Sequence, residues 1–234
     1  MEDNGNEGFA IMTLPGRYRM LSSCIRNGGF AEGETVFFYE VPLGYDDPFP
    51  EEDMERQCAR FDLPPDAVGF MTAADIRRVI TVCEEEVNGT RAIAVATAGV
   101  TNAVYAGERL SKEVLDLLPV HDPARKRNPP GTINVLVAVN VPLQDCGLAN
   151  AVITVTEAKS AALMDAGVDG TGTTSDAVSV ACPPGDGCKY AGTATDAGIA
   201  IARAVRSAVA GSVRKWGNGK RPKDFVTKLD EIGV

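Results

Sequence analysis

Apolar positions along this chain recur with two different periods, and the change of period divides it into strands and helices. Arg17 to Ile25 and Glu34 to Val41 alternate as strands, and the cluster Asn27-Gly28-Gly29 between them predicts a hairpin turn with exposed backbone donors. Asp53 to Phe61 carries Met54, Cys58 and Phe61 at helical spacing, and Leu63-Pro64-Pro65-Asp66 stops that helix. Val79 to Val87 and Ala92 to Ala98 are rich in β-branched residues, and Asn88-Gly89 between them is a strong short-range hairpin signal. A Gly-rich link, a short helix at Ser111 to Leu118 and a basic, Pro-rich loop at His121 to Pro130 lead into a buried strand at Thr132 to Val141. Helices are predicted at Asp145 to Ala166, ending near Gly167, and at Thr195 to Val213. The Gly- and Thr-rich loop Gly167 to Ser175 and two strands, Asp176 to Ala181 and Lys189 to Gly192, lie between those helices.

Hairpins outnumber crossover units and the helices concentrate late. The predicted class is therefore α+β, with α/β not excluded: a single layered domain whose mixed, largely antiparallel sheet carries packed helices. Residues 1–16 read as a polar N-terminal segment, 17–215 as the domain and 216–234 as a polar C-terminal tail. A length of 234 residues suits one core, and 44% apolar with 24% charged residues is an ordinary globular mix.

Charge and cysteine content narrow the function classes. With 23 Lys and Arg against 32 Asp and Glu, the net charge of -9 sets the surface against nucleic acid and anionic lipid and favours a neutral or cationic small molecule. Ile133 to Pro142 is too short to span a bilayer, and Ile199 to Val213 is interrupted by arginines. The first twenty residues include Glu2, Asp3 and Glu7 and lack a basic start followed by an apolar run, so a cytoplasmic location is expected. The six cysteines have no Cys-x-x-Cys spacing and read as free thiols, although Cys182 and Cys188 bracket a tight loop. No metal site and no cofactor are expected, and the oligomeric state is not legible.

Candidate chemistry gathers on the helix from Asp145 and on the loop after it. Wound at roughly 100° per residue, Leu148, Val152, Val155, Ala162, Leu163 and Ala166 form one stripe with Lys159 in its middle. Such a lysine either lays its stem on apolar surface or meets a carboxylate or carbonyl at a site. Glu157 lies on another, partly apolar side with Ile153 and Met164; it is either a partly desolvated carboxylate or part of a solvated face. The stretch Asp169 to Asp176 offers flexible N–H groups, four hydroxyls and two carboxylates, enough to hold an oxyanion or to make an ordinary turn. No Walker sequence and no strand-to-helix Gly-x-Gly-x-x-Gly occurs, which disfavours nucleotide phosphates. His121, the single histidine, is not expected to be catalytic. Asn102 and Asn134, at the ends of predicted strands, can orient an amide by donating to its oxygen or bond local backbone.

These segments, taken in order from Leu21 to Val209, resemble the adenosylcobinamide amidohydrolase family. The resemblance rests on Leu21-Ser22-Ser23 with Gly28-Gly29, Val68 to Ala74, Thr97-Ala98-Gly99 with Asn102-Ala103, Ala106-Gly107, Gly131 to Asn134, Thr156 to Lys159, Gly172-Thr173 with Asp176, and Tyr190 to Thr193. It implies hydrolysis of the amide joining a corrin ring to aminopropanol, giving adenosylcobyric acid for corrinoid salvage, with the corrinoid as substrate and no cofactor. In this scheme Glu157 or Asp176 activates water, Lys159 and the Gly172-Thr173 backbone stabilise the oxyanion, and Asn102 and Asn134 orient the amide. A covalent variant uses the hydroxyl of Thr173, Thr174 or Ser175 with Lys159 as base. Ser22, Ser23, Gly28, Gly29, Thr72, Gly172 and Thr193 are the further expected substrate contacts. Two positions depart from the family pattern, which places a histidine at or near Tyr39 and another at Ala194. A corrinoid-binding protein without catalysis, or an amidohydrolase acting on a different amide, are the competing classes.

Overall fold

Successive side chains of a strand point to opposite faces of the sheet, and in this chain each face is covered by a different layer. The computed structural model describes residues 8–42, 45, 47–109, 112, 131–217 and 228–229. Strands β1 (Phe9–Ser22) and β2 (Gly29–Glu40) are followed by helix α1 (Pro50–Arg60), β3 (Val68–Thr72) and the single turn α2 (Ile76–Val79). Then come β4 (Thr81–Val87), β5 (Thr90–Ala98), β6 (Ile133–Val139), α3 (Asp145–Asp165), β7 (Ala177–Cys182), α4 (Asp196–Gly217) and the two-residue β8 (Lys228–Leu229). The strand order is β3-β2-β1-β7-β6-β5-β4, with β8 beside β1. Pairs β1/β2, β1/β7, β4/β5 and β5/β6 are antiparallel, while β2/β3 and β6/β7 are parallel. This is the α+β class, with the mixed and largely antiparallel sheet expected from the excess of hairpins over crossover units.

On β5 the even-numbered alanines Ala92 to Ala98 face helices α3 and α4, as do Ile133, Val135, Val137 and Val139 of β6. The opposite face of the same strands presents Val95, Leu136 and Ala138, which pack against Met12, Leu14, Val36, Phe38 and Phe70 of the first three strands. The sheet therefore bends back over itself. Its outer face turns Phe37 and Tyr39 onto Met54 and Cys58 of α1. The bend falls in β1, where the register against β2 shifts between Thr13 and Tyr18 around Pro15 and Gly16. Such an irregularity turns a strand and raises its twist.

Several boundaries differ from expectation for local reasons. Strand β1 begins at Phe9, inside the segment read as polar and peripheral, because Phe9 stacks on Phe37 and Phe61 at 5.2 and 4.1 Å between ring centroids. Residues 189–192 form no strand; their stretch makes only the isolated bridge between Leu143 and Cys188. The Asn88-Gly89 turn is as predicted, with φ of 49° and 81°. Positive values at both positions match a type I′ hairpin, which is why Gly suits the second. Strand β4 forms the far edge of the sheet, with Val82, Glu84 and Glu86 exposed and Cys83 and Val87 turned to the helix layer. The segments 1–7 and most of 218–234, the short helix expected at 111–118 apart from Lys112, and the loop with His121 lie outside the described residues. Among the described residues no helix is long and apolar enough to cross a membrane.

Candidate active site

At one end of the sheet, where β5 finishes and β6 and β7 begin, the polar residues predicted to carry chemistry come together. Helix α3 closes at Ala166, Gly167 takes φ 71°, and the loop after it is tied to the segment following β5. Thr171 N–H donates to the Val104 carbonyl at 2.9 Å, Val104 N–H donates back to the Gly172 carbonyl at 2.9 Å, and the Tyr105 hydroxyl donates to Asp169 at 3.0 Å. This pinning delivers Asp176 to the start of β7. Its carboxylate accepts from the Lys159 ammonium, the Thr173 hydroxyl at 2.5 Å, the Thr173 N–H at 3.1 Å and the Ile133 N–H at 3.1 Å. Four donors occupy the carboxylate's roughly four lone-pair sites, so none is left for a water. Lys159 and Asp176 side chains are 8% and 12% exposed, which makes this an almost fully desolvated ion pair. Gly172 lets it form: a Cβ there would meet Asp176 Oδ2 at 2.5 Å and Lys159 Nζ at 2.7 Å.

A second polar group lies beside the first. Asn102 is fully buried; its Nδ2 donates to the Thr174 hydroxyl at 2.8 Å, and its Oδ1 has no partner. Gly131 permits that approach, since a Cβ there would meet Asn102 Oδ1 at 2.7 Å. The hydroxyls of Thr132 and Ser175 share a hydrogen bond of 2.6 Å. Asn134 donates from Nδ2 to the Met71 carbonyl at 2.9 Å, leaving Oδ1 unpartnered, and the hydroxyls of Thr97 and Ser179 are likewise buried without partners. The expectation that the two asparagines donate to an amide oxygen is thus altered: the atoms left over are acceptors. Sequence reasoning assigned no role to Thr97, Thr132 or Ser179. For Thr97 and Ser179 the signal was a polar residue at an inward position of a largely apolar strand.

The other expected contacts divide. Ser22 is the register partner of Ser179, and Ser23 clamps β1 to β7, its N–H donating to Val178 at 2.8 Å and its hydroxyl accepting from Val178 N–H at 3.0 Å. Gly28 and Gly29 build the adjacent turn: a Cβ on Gly28 would meet the Cys24 carbonyl at 2.5 Å, and Gly29 has φ 85°. Thr72 accepts from Ala74 N–H at 3.0 Å and ends β3 next to Met71. Two expected residues are not brought in. Glu157 is exposed, because two residues along a helix place it about 200° round from buried Lys159, so the structure does not support it as the water-activating carboxylate. Thr193 is exposed and lies close to Asp196, which accepts from Asn88 at the hairpin end of β5. That end is roughly 26 Å along the strand from Ala98, so Thr193 is not at the site. Of the two positions departing from the family pattern, Ala194 is exposed near Thr193, and Tyr39 is buried under α1, where Gln57 donates to its hydroxyl at 3.3 Å.

Cys24, two residues past Ser22, is the thiol nearest to this region along the chain, and burial pushes its pKa from 9.0 up to about 12, against a smaller lowering by the Ser22 hydroxyl. It stays protonated and inert as a nucleophile at neutral pH. Cys146 and Cys188 are exposed, whereas Cys24, Cys58 and Cys182 are buried, and all are free. Iodoacetamide at pH 8 is expected to label Cys146 and Cys188 within minutes and to leave Cys24, Cys58 and Cys182 unlabelled until denaturant is added, as read by peptide mass spectrometry. Because the folded pKa of Cys24 is raised, its contribution to stability is intact below about pH 9 and is lost as the pH rises towards 12.

A buried ammonium–carboxylate pair holding a hydroxyl thus lies beside unpartnered amide and hydroxyl oxygens at the end of a bent α+β sheet. Similarity to known proteins makes the chain a hydrolase acting on amide bonds. The profile of the adenosylcobinamide amidohydrolase family matches residues 1–221. An adenosylcobinamide amidohydrolase of Halobacterium salinarum is 36% identical over 213 residues, covering 89% of this chain and 85% of that protein. Another, of Methanosarcina mazei, is 28% identical over 204 residues, covering 83% and 89%. The chain belongs to the adenosylcobinamide amidohydrolase family. Among solved structures, Burkholderia sp. beta-aminopeptidase superposes with a TM-score of 0.43 at 15% identity, over 89% of this chain and 74% of that one, a likeness too loose to bear on the chemistry.

Proposed function

We propose that this protein hydrolyses the amide joining the corrin ring to aminopropanol in adenosylcobinamide, releasing adenosylcobyric acid for corrinoid salvage, with no cofactor, metal or ATP. Membership of the family carries the reaction, and the Lys159–Asp176–Thr173 chain carries the choice of groups. The Thr173 hydroxyl already donates to Asp176, so Asp176 takes its proton as Thr173 Oγ attacks the carbonyl carbon. The C–N bond then breaks as the leaving amine takes that proton, and water hydrolyses the resulting ester. Lys159, whose ammonium has two N–H groups beyond the one on Asp176, balances charge on the carboxylate and on the developing oxyanion. The Thr173 N–H is committed to Asp176 and is not available as an oxyanion donor. Activation of water by a carboxylate has less support, because Glu157 is exposed and the lone pairs of Asp176 are filled.

Incubation of purified protein with adenosylcobinamide, without ATP and in the presence of EDTA, is expected to yield a carboxylate-bearing corrinoid and free aminopropanol in equal amounts by chromatography. Tight binding of adenosylcobinamide with no product would favour the carrier class, and turnover abolished by EDTA would overturn the metal-free mechanism.

A further inference from the structure

Three neighbouring strands present polar side chains to the layer between the two halves of the sheet, at the end where the Lys159–Asp176 pair sits. Thr97 of β5 stands directly opposite Asn134 of β6, and Ser179 of β7 lies on the same face with Ser22 of β1 as its next partner. Much of the rest of that layer is apolar, from Met20 and Phe38 to Leu136 and Ala181. Thr97, Asn134 and Ser179 are all 0% exposed, yet Thr97 Oγ1, Asn134 Oδ1 and Ser179 Oγ have no partner. Each such orphan costs about 1–3 kcal/mol. Three together on one face, one of them a pure acceptor and two able both to donate and to accept, describe a receptor for a small group bearing both N–H and O–H. The Met71 carbonyl holds Asn134 Nδ2 and so fixes the side chain, leaving Oδ1 as the free acceptor.

We infer that Thr97, Asn134 and Ser179 form the subsite for the leaving amine, and that they select a small amino alcohol over a plain alkylamine. This rests on the proposed amide hydrolysis, in which the leaving group is aminopropanol. Asn134 Oδ1 accepts from the N–H of the scissile amide, and the two hydroxyls exchange hydrogen bonds with the hydroxyl of the leaving group. A site built to bond a substrate hydroxyl rejects the analogue that lacks it far more strongly than a methylene changes binding, because its own polar groups are left unpaired.

The test compares adenosylcobinamide with its analogue in which propylamine replaces aminopropanol, using wild type, Thr97→Val, Ser179→Ala and the double variant. Wild type is expected to favour the hydroxylated substrate by about 100-fold or more in kcat/KM. The double variant is expected to bring that ratio to within about fivefold of unity, lowering kcat/KM for adenosylcobinamide while leaving that for the analogue nearly unchanged. Equal kcat/KM for both substrates in wild type overturns the subsite while leaving the hydrolase intact. So does a double variant that keeps the wild-type ratio and melts at a higher temperature, since removing merely frustrated core hydroxyls stabilises a fold. If wild type cleaves neither corrinoid, the hydrolase reading itself fails and the subsite falls with it.

Discussion

Replacing Lys159 by methionine is expected to cut turnover of adenosylcobinamide on the order of a thousandfold and to destabilise the fold by about 3 kcal/mol. Methionine fills the space of the lysine stem among Val155, Ala158, Ala162 and Leu163, so packing on α3 is largely kept. What goes is the charge. Asp176, 12% exposed, loses its ionic partner and retains only the Thr173 and Ile133 donors. Breaking one side of a buried pair leaves an uncompensated charge, and that accounts for the stability term. Thermal unfolding of the variant measures it, and Lys159→Arg separates the two effects: arginine restores the opposite charge but not the ammonium's point geometry. A Lys159→Met protein that is as stable as wild type and hydrolyses at a normal rate would remove the ion pair from the mechanism.

The second large effect is expected at Thr173. Valine has nearly the same shape and lacks only the hydroxyl, so Thr173→Val should fold, lose about 1 kcal/mol with the hydrogen bond to Asp176, and lower kcat by about 10²- to 10⁴-fold. Thr173→Ser should recover much of the activity, because the nucleophilic oxygen returns without the methyl. Single-turnover experiments give the sharper answer. If Thr173 forms an ester, aminopropanol appears in a burst ahead of the free corrinoid acid, and hydroxylamine traps the acyl group. Loss of activity without a burst in wild type would return the attack to a water molecule.

How much of this was legible before any coordinates depended on whether a local rule or a long-range contact decided the outcome. Helix α3 runs from Asp145 to Asp165, within one residue of the predicted end, because Gly167 stops it by a positive φ. The apolar stripe on that helix correctly marked Lys159 as anomalous, and Asp176 was already a candidate in the next loop; only their pairing needed the fold. For Glu157 the solvated-face alternative matches the structure: Ile153 and Met164, which lent its side an apolar character, are 55% and 68% exposed. Apolar residues at a surface are common and do not by themselves signal burial. Thr193 carried a motif resemblance with no information about which end of the sheet it occupies. The first half of β1 fell within the segment read as polar and peripheral, and Pro15 and Gly16, which follow it, lie where the register shifts and the strand bends. The doubling back of the sheet was beyond reach of periodicity, because a strand such as β6, buried on both sides, reveals that both faces are covered but not by what.

The last strand of the sheet bears on what this protein does in a crowded solution. An unpaired β-edge is a template for another chain, and among the described residues β4 offers seven residues of it. Glu86 stands exposed on that strand with Glu85 half-buried beside it, while Glu84, also exposed, is ion-paired with Arg91 at 3.2 Å. Another copy docking edge to edge would bring like carboxylates together and strip water from them, so templated polymerisation through this border is opposed by repulsion that weakens as salt is added.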